Sequence, residues 1–202
     1  MIVIDLRFYD GRYEGGVFHI ALSILNNATK KYTNISCLVR SNNISNVIQS
    51  HLSSKSIVSF IVVPIFTTYM FDTLFLGHLL LPKSTKVVFW PWYFTPIYRK
   101  PSILYILGLW DITPITHNDS YSAPLRYILP IAIKLSACRC SKILSCSKYD
   151  VSQVHLHIKP KVEVIYFPLP ITKTTSLPSS VKPDSHPFQS DSVNHLLPYK
   201  FV

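Results

Sequence analysis

Short apolar runs alternate along the chain with longer segments that have helical periodicity. The apolar runs lie at 2–6, 35–39, 57–63, 87–90, 103–107, 143–146 and 162–166. Most of them are continuously apolar and rich in β-branched residues, which is typical of strands that are covered by helices on both faces. The pattern therefore predicts an α/β fold, with a doubly wound, mainly parallel Rossmann-like sheet of about seven strands flanked by helices.

The clearest helical pattern lies between the first two apolar runs. Its apolar positions share one helical face and are Val17, Ile20, Ala21, Ile24, Leu25 and Ala28. Four more helices are predicted at 43–52, 68–81, 122–140 and 148–157. Ser122 and Ser147 are suitable caps for the last two, and Pro130 is expected to kink the longer one.

The amino-acid composition of the chain changes near residue 168. From 168 to 198, 15 of 31 residues are Ser, Thr or Pro, without apolar periodicity. Such a composition is typical of a linker or tail. We therefore expect a single domain over 1–167, followed by a linker over 168–202 whose last residues, from Pro198, resemble the start of a strand belonging to an absent C-terminal domain.

The net charge of +10 favours a partner that carries phosphate, such as a nucleotide, a nucleic acid or an anionic membrane. The chain shows no recognition helix, zinc module or aromatic RNA-binding signature, which disfavours nucleic acid. Between residues 126 and 161 the basic side chains face a single acid, Asp150. This segment fits either peripheral contact with a membrane or ordinary solvated helix faces, and both interpretations stay open.

No membrane-spanning segment is predicted, because the longest uncharged run, 56–71, is interrupted by Pro64. The N-terminus lacks the pattern of a signal peptide, so we expect a cytoplasmic protein. The four cysteines do not have metal-ligand spacing and are interpreted as small core thiols, so no metal site is predicted.

Glycines are rare in this chain, yet several of them precede the first predicted helix. Gly11, Gly15 and Gly16 lie in the loop after the first strand, on the edge where ligands bind in open parallel sheets. Backbone amides there can approach a phosphate, and Arg7 and Arg12 would add positive charge. The alternative is that the glycines only form a tight turn.

Three other loops follow the carboxyl ends of predicted strands. The loop 90–98 holds five aromatic residues, Tyr93 among them, which either stack on a sugar or lipid or cover the core. Asp111 stands in an apolar stretch after the fifth strand. Because burying an unpaired carboxylate is costly, an Asp in this position is more often functional than one on the surface. Ser147 and Lys148 begin the last predicted helix.

Taken in order, six stretches resemble the N-terminal half of family 4 (group 1) glycosyltransferases of the GT-B class. These are Gly15-Gly16-Val17 (the family's G-G-V-E loop), 71–82 ending in L-L-P, Trp92-Tyr-Phe-Thr-Pro96, Ile106 to Pro114 (hydrophobic-H-D-L-x-P), Ala137 to Asp150 (A-D-x-I-I-x-V-S-E-x-S) and Val162-Glu-Val-Ile165. Trp110 stands where that family has His, and Lys148 where it usually has Glu.

The resemblance implies a retaining transferase that moves a sugar from a nucleotide-sugar to a glycan or lipid-linked acceptor, with neither a cofactor nor an obligatory metal. It implies Asp111 as the catalytic residue. The substrate-binding residues that it implies are Gly15, Gly16, Arg12, Trp110, Tyr93, Ser147 and Lys148.

Enzymes of this class bind the nucleotide mainly through a C-terminal Rossmann-like domain. We therefore expect this chain to be the acceptor-side half, truncated or completed by a separate C-terminal half, and inactive alone. The alternative is a non-catalytic binding or scaffold module derived from such an enzyme.

Overall fold

The computed structural model describes residues 1–12, 14–52, 57–110, 113–117, 119, 121–147 and 161–165. The strands are β1 (Ile2–Asp5), β2 (Ile35–Val39), β3 (Ser59–Val62), β4 (Val87–Trp90), β5 (Leu104–Gly108), β6 (Lys142–Ser145) and β7 (Lys161–Val164). The helices are α1 (Gly16–Thr29), α2 (Asn42–His51), α3 (Tyr69–Phe71), which continues as a π-helical segment (Asp72–Leu76), α4 (Thr113–Thr116) and α5 (Ala123–Arg139).

All seven strands form one parallel sheet in the order β3-β2-β1-β4-β5-β6-β7. In the centre, Ile4 of β1 lies between Cys37 of β2 and Phe89 of β4. The predicted doubly wound α/β sheet is therefore confirmed. Because the chain winds outward from β1 to β3 and then returns to place β4 beside β1, its direction across the sheet reverses between β1 and β4.

Alternate residues of each strand point to opposite faces of the sheet, and each face has its own helical layer. Ile4 and Leu6 pack with Phe18 and Leu25 of α1 and with Ile48 of α2. On the opposite face, the α3 region and α5 share one core, where Leu74 and Ile133 pack with Leu107 and Ile143. The apolar strand runs of the sequence follow from this coverage on both faces.

The buried face of α1 differs from the predicted one. Its fully buried side chains are Phe18, Ala21, Leu22 and Leu25, while Val17, Ile20 and Ile24 pack only partly against the core. Phe18 stacks on Tyr9 of the preceding loop, with ring centroids 4.0 Å apart. The buried stripe of α1 therefore includes Phe18, which the sequence pattern did not assign to it.

The helix predicted over 68–81 is shorter in the structure. It begins after Thr68, whose side chain accepts a hydrogen bond from the amide of Phe71, and it ends at Leu76. The carbonyl of Leu74 accepts from the amide of Ile97, at 2.9 Å, instead of from a following helical turn. A tertiary hydrogen bond therefore takes the place of helix continuation.

The long helix α5 matches its predicted range closely and continues through Pro130. The side chain of Ser122 makes no capping hydrogen bond, contrary to expectation; its carbonyl accepts from the amide of Arg126 at 3.0 Å. The predicted helix at 148–157, the linker at 168–202 and the strand pattern from Pro198 lie outside the described residues.

Candidate ligand site at the carboxyl edge of the sheet

The reversal between β1 and β4 defines the location of a candidate site. In open α/β sheets, the loops that follow such neighbouring strands diverge, and ligands bind in the crevice outside the carboxyl ends. Here those loops are 6–15, which leads into α1, and 91–103, which leads into β5. The loop from β3 to α3 reaches the same edge.

The N-terminus of α1 begins directly after the glycine-rich loop. Gly15 is the cap residue, and a Cβ atom built on Gly16 would meet nothing within 4 Å. Gly11 adopts a φ of 85°, a left-handed conformation that favours glycine. Arg12 is exposed, and its amide donates to Asp10 Oδ1 at 3.0 Å. The structure thus places Gly15 and Gly16 at the start of α1 and Arg12 in the loop just before it, with both site interpretations of this loop still open.

Arg7 does not contribute its charge to that terminus, contrary to expectation. Its side chain is fully buried and forms a two-pronged pair with Asp5: Nε donates to Oδ1 at 3.0 Å and Nη2 to Oδ2 at 2.8 Å. Nη2 also lies 3.4 Å from the hydroxyl of Thr73. The guanidinium is therefore neutralised inside the layer between the sheet and the π-helical segment.

The protonation of Arg7 reflects two opposing effects. Burial lowers its pKa, but the adjacent Asp5 carboxylate outweighs burial and raises the pKa above its ordinary value. One guanidinium nitrogen, Nη1, is buried without a hydrogen-bond partner among the described residues. Arg7 thus keeps its positive charge, and within the described part of the chain its Nη1 remains an unused donor.

A second arginine, Arg40, follows β2 and fixes the course of the β1 loop. It donates from Nε to the carbonyl of Arg7 and from Nη2 to the carbonyl of Phe8, the latter at 3.2 Å. Burial lowers the pKa of Arg40, and the positive charge of Arg7 adds to this effect. The backbone carbonyls of Arg7 and Phe8, which lie just after β1, thus receive hydrogen bonds from Arg40.

Four rings gather next to the Asp5–Arg7 pair, and we call them the aromatic cluster: Phe8 from the loop after β1, Tyr69 from the start of α3, and Trp92 and Phe94 from the loop after β4. Phe8 meets Trp92 edge to face at 5.6 Å, and Tyr69 stacks on Trp92 at 5.8 Å. Tyr69 also lies 6.4 Å from Phe94. Phe8 and Trp92 are only half-buried, so their rings reach the surface at the reversal.

Tyr69 connects the aromatic cluster to the buried pair. Its ring lies 5.9 Å from the guanidinium carbon of Arg7, within the range of a cation–π contact. Burial raises the pKa of Tyr69 well above its ordinary value, and the negative charge of Asp5 adds to the effect. Its hydroxyl therefore stays protonated at neutral pH.

The loop from β3 to α3 is organised by Asp72, which is buried. Its carboxylate accepts from the amide of Phe66 at 2.6 Å and from the hydroxyl of Thr67 at 2.7 Å. The amide of Thr67 donates as well, at 3.2 Å. These bonds fix the loop just before Tyr69 enters the aromatic cluster.

The structure places Tyr93, a predicted binding residue, largely in the core. Its side chain is 8% exposed, and its φ of 47° is rare for a residue with a Cβ atom. Its amide donates to the carbonyl of Gly108 at 3.3 Å. This conformation turns the chain so that the neighbouring rings of Trp92 and Phe94 join the aromatic cluster.

Trp110 is also held in the core. It is 7% exposed, and its indole N–H, the one polar hydrogen of the side chain, donates to the carbonyl of Pro91 at 2.6 Å. Its own carbonyl accepts from the thiol of Cys146 at 3.3 Å. Trp110 therefore ties together the loops that follow β4, β5 and β6.

The remaining predicted site residues are Ser147, Asp111 and Lys148. Ser147 is half-buried after β6, where its amide donates to the hydroxyl of Ser145 at 3.3 Å. Asp111, the predicted catalytic residue, and Lys148 lie outside the described residues. The structure thus leaves the predicted catalytic role untested.

Sequence reasoning did not single out the buried acid of this site. Asp5 is the only charged residue in the first apolar run, and Arg7 follows two positions later on the same face of the strand. An acid inside a strand that is buried on both sides requires a partner. The sequence therefore contained a signal for the Asp5–Arg7 pair. It contained no comparable signal that Thr73 and Arg40 would contact Arg7.

Comparisons with protein-family models, with curated proteins and with solved structures gave no match for this chain. Among the described residues, no helix has the length and apolarity needed to cross a bilayer. Within the same residues, no three His, Cys, Asp or Glu side chains gather as metal ligands do.

Proposed function

We propose that this chain is the acceptor-side half of a retaining glycosyltransferase that acts in the cytoplasm on a glycan or lipid-linked acceptor. The observation that carries the proposal is the junction of two loops at the strand reversal. Phe8 contacts Trp92 of the β4 loop, while its neighbour Tyr9 stacks on Phe18 at the start of α1. One loop thus connects the N-terminus of α1 with a partly exposed aromatic surface.

Each part of the site suits one part of such a substrate. The backbone amides of Gly15 and Gly16, at the start of α1, suit a phosphate or a sugar hydroxyl. The rings of Phe8 and Trp92 suit the C–H face of a sugar, since aromatic rings give large apolar contacts at defined geometry. In this proposal a second Rossmann-like unit binds most of the nucleotide-sugar donor, and no metal is required.

Saturation-transfer NMR tests the proposal directly. The probes are a panel of oligosaccharides and the common uridine and guanosine nucleotide-sugars, and donor consumption is measured in parallel. We expect saturation transfer to at least one saccharide and no consumption of any nucleotide-sugar. Trp92→Ala should abolish the transfer, whereas Tyr98→Ala, which removes an exposed ring outside the aromatic cluster, should preserve it.

Two results would contradict the proposal. If no saccharide receives saturation, or if Trp92→Ala behaves like the native chain, the aromatic cluster is not a sugar site. If the isolated chain consumes a nucleotide-sugar at an enzymatic rate, it is more than an acceptor-side half.

A second candidate is a non-catalytic binding module derived from such an enzyme. It is favoured by Trp110, which occupies the position of the family's histidine and uses its N–H on the carbonyl of Pro91. The genomic neighbourhood discriminates the two candidates. An adjacent reading frame for a Rossmann-like half with paired glutamates supports the enzyme, and its absence supports the module.

A further inference from the structure

Helix α5 is apolar on both its buried and its solvent-facing sides. Toward the sheet it buries Leu129, Ala132, Ile133, Ser136 and Ala137. Toward solvent it exposes Tyr127, Ile128, Ile131 and Leu135, at 66%, 38%, 60% and 43%. These four positions fall on one stripe at helical spacing, which we call the outer stripe of α5. A helix that is apolar all round is ordinarily covered on all sides.

Along α5 itself, the charged residues beside the outer stripe are all basic. With about 100° between successive residues, Lys134 lies on one side of the stripe and Arg139 on the other, and both are exposed. No Asp or Glu occurs anywhere from 121 to 147. The nearby acid Asp119 forms an ion pair with Arg126 at 3.4 Å. Arg126 lies outside the outer stripe and so adds no positive charge to it.

The same helical layer exposes further apolar side chains. Phe71 and Phe75 stack on each other at 6.1 Å and are 43% and 47% exposed. In contrast, α1 and α2, which are described in full and cover the opposite face of the sheet, expose no large apolar side chain. Of the two helical layers, the one that contains α5 therefore exposes more apolar surface, as expected for an interaction surface.

The C-terminal end of α5 borders a shallow cleft of about 410 Å³. The cleft is lined by Ile97, Tyr98, Arg99, Pro101 and Arg139. Arg99 donates to the backbone carbonyl of Arg139, and both arginines line the cleft. The basic end of the outer stripe thus has a recess in which a phosphate-bearing group would find two guanidinium groups.

We propose that the outer stripe of α5 docks in the plane of an anionic lipid bilayer, with Lys134 and Arg139 facing lipid phosphates. Apolar side chains flanked by basic residues are the pattern of helices that lie in the membrane interface, and Tyr127 suits the headgroup level. A second copy of the chain is a poorer occupant, because pairing two stripes would bring basic residues together without acids between them. This docking does not depend on the proposed sugar site.

Vesicle co-sedimentation of the full chain provides the test. With vesicles of phosphatidylglycerol and phosphatidylcholine, we expect binding that weakens as salt rises. Pure phosphatidylcholine should bind much less. Lys134→Gln with Arg139→Gln should weaken binding about fivefold for each charge removed, and Ile131→Ser with Leu135→Ser should weaken it about tenfold or more.

Matched controls come from the opposite side of the domain. Lys30→Gln with Lys31→Gln removes two exposed cations, and Tyr32→Ser removes an exposed ring; both variants should bind as the native chain does. Thermal unfolding should show that all variants are folded, since the altered side chains are exposed. The proposal is overturned if anionic vesicles do not bind the native chain, if control and stripe variants bind alike, or if sedimentation equilibrium shows a dimer that Ile131→Ser with Leu135→Ser dissociates.

Discussion

Arg7 lies directly against Asp5, with Nε 3.0 Å from Oδ1 and Nη2 2.8 Å from Oδ2, and neither side chain is accessible to solvent. The amide of Arg7 donates to the same Oδ1 at 3.0 Å. Since the two residues are two positions apart, they share one face at the end of β1. The pair therefore fixes the backbone where the chain leaves the sheet and enters the candidate site.

Replacing one member of this pair should be strongly destabilising. In Asp5→Asn the Arg7 guanidinium remains buried but loses its counter-charge. Breaking a buried pair from one side costs about 3–5 kcal/mol. Urea unfolding, followed by circular dichroism, should show a lower midpoint with an unchanged slope.

Two variants make this prediction specific. Asp10→Asn removes an exposed acid a few residues away and should change the free energy of unfolding by less than about 0.5 kcal/mol. Asp5→Leu combined with Arg7→Met should recover most of the loss, because apolar side chains of similar volume often replace a buried pair without cost. Equal stability of Asp5→Asn and the native chain would contradict the structural role of the pair.

Two glycines should respond oppositely to alanine. A Cβ atom on Gly108 would lie 2.7 Å from the carbonyl oxygen of Pro91 and 2.7 Å from Nε1 of Trp110. Gly108→Ala should therefore cost about 1–3 kcal/mol. Gly16→Ala, in open space at the start of α1, should be neutral or stabilising by up to about 1 kcal/mol. Thermal unfolding of both variants measures the difference, and similar melting temperatures would refute it.

The sheet could be predicted from the sequence, whereas the contacts inside the site could not. Continuous apolar runs such as 35–39 define buried parallel strands by their composition alone, and β2 occupies that range. The glycines before α1 were informative in the same local way. Few other residues leave as much open space at the start of a helix. These features depend on local chemistry.

The features that the sequence did not reveal depend on distant partners. The helix predicted over 68–81 ends early because the carbonyl of Leu74 bonds to the amide of Ile97. Arg7 looks like a free cation in the sequence, but Thr73, 66 positions away, helps to bury it. Likewise, the rings of the aromatic cluster come from three separate segments of the chain, and only the assembled sheet brings them together.

Tyr69 should make folding sensitive to alkaline pH. Burial raises the pKa of its hydroxyl well above the usual value. The folded protein therefore keeps a proton that the unfolded chain loses above about pH 10. Its stabilising contribution is complete below that pH and declines by about 1.4 kcal/mol per pH unit above it.

The slope can be assigned to Tyr69 by substitution. In Tyr69→Phe, the free energy of unfolding should fall less steeply with pH between about 10 and 12 than in the native chain. Tyr32→Phe, at an exposed ring, is the matched control and should keep the native slope. A slope that is the same in all three proteins would show that Tyr69 is not held in its protonated form by burial.

The four cysteines, none of which is in a disulfide, should differ in reactivity according to burial. Cys37 and Cys140 are buried, which raises the pKa of Cys37 far above its usual range and that of Cys140 to about 12. Cys138 and Cys146 are only partly buried. Because the thiolate is the reactive form, iodoacetamide at pH 8 should alkylate Cys138 and Cys146 first.

Peptide mass spectrometry over time resolves the order of alkylation, with urea-unfolded protein as the control in which all four cysteines react alike. Early labelling of Cys37 in the folded chain would be incompatible with its place in the core beneath α1.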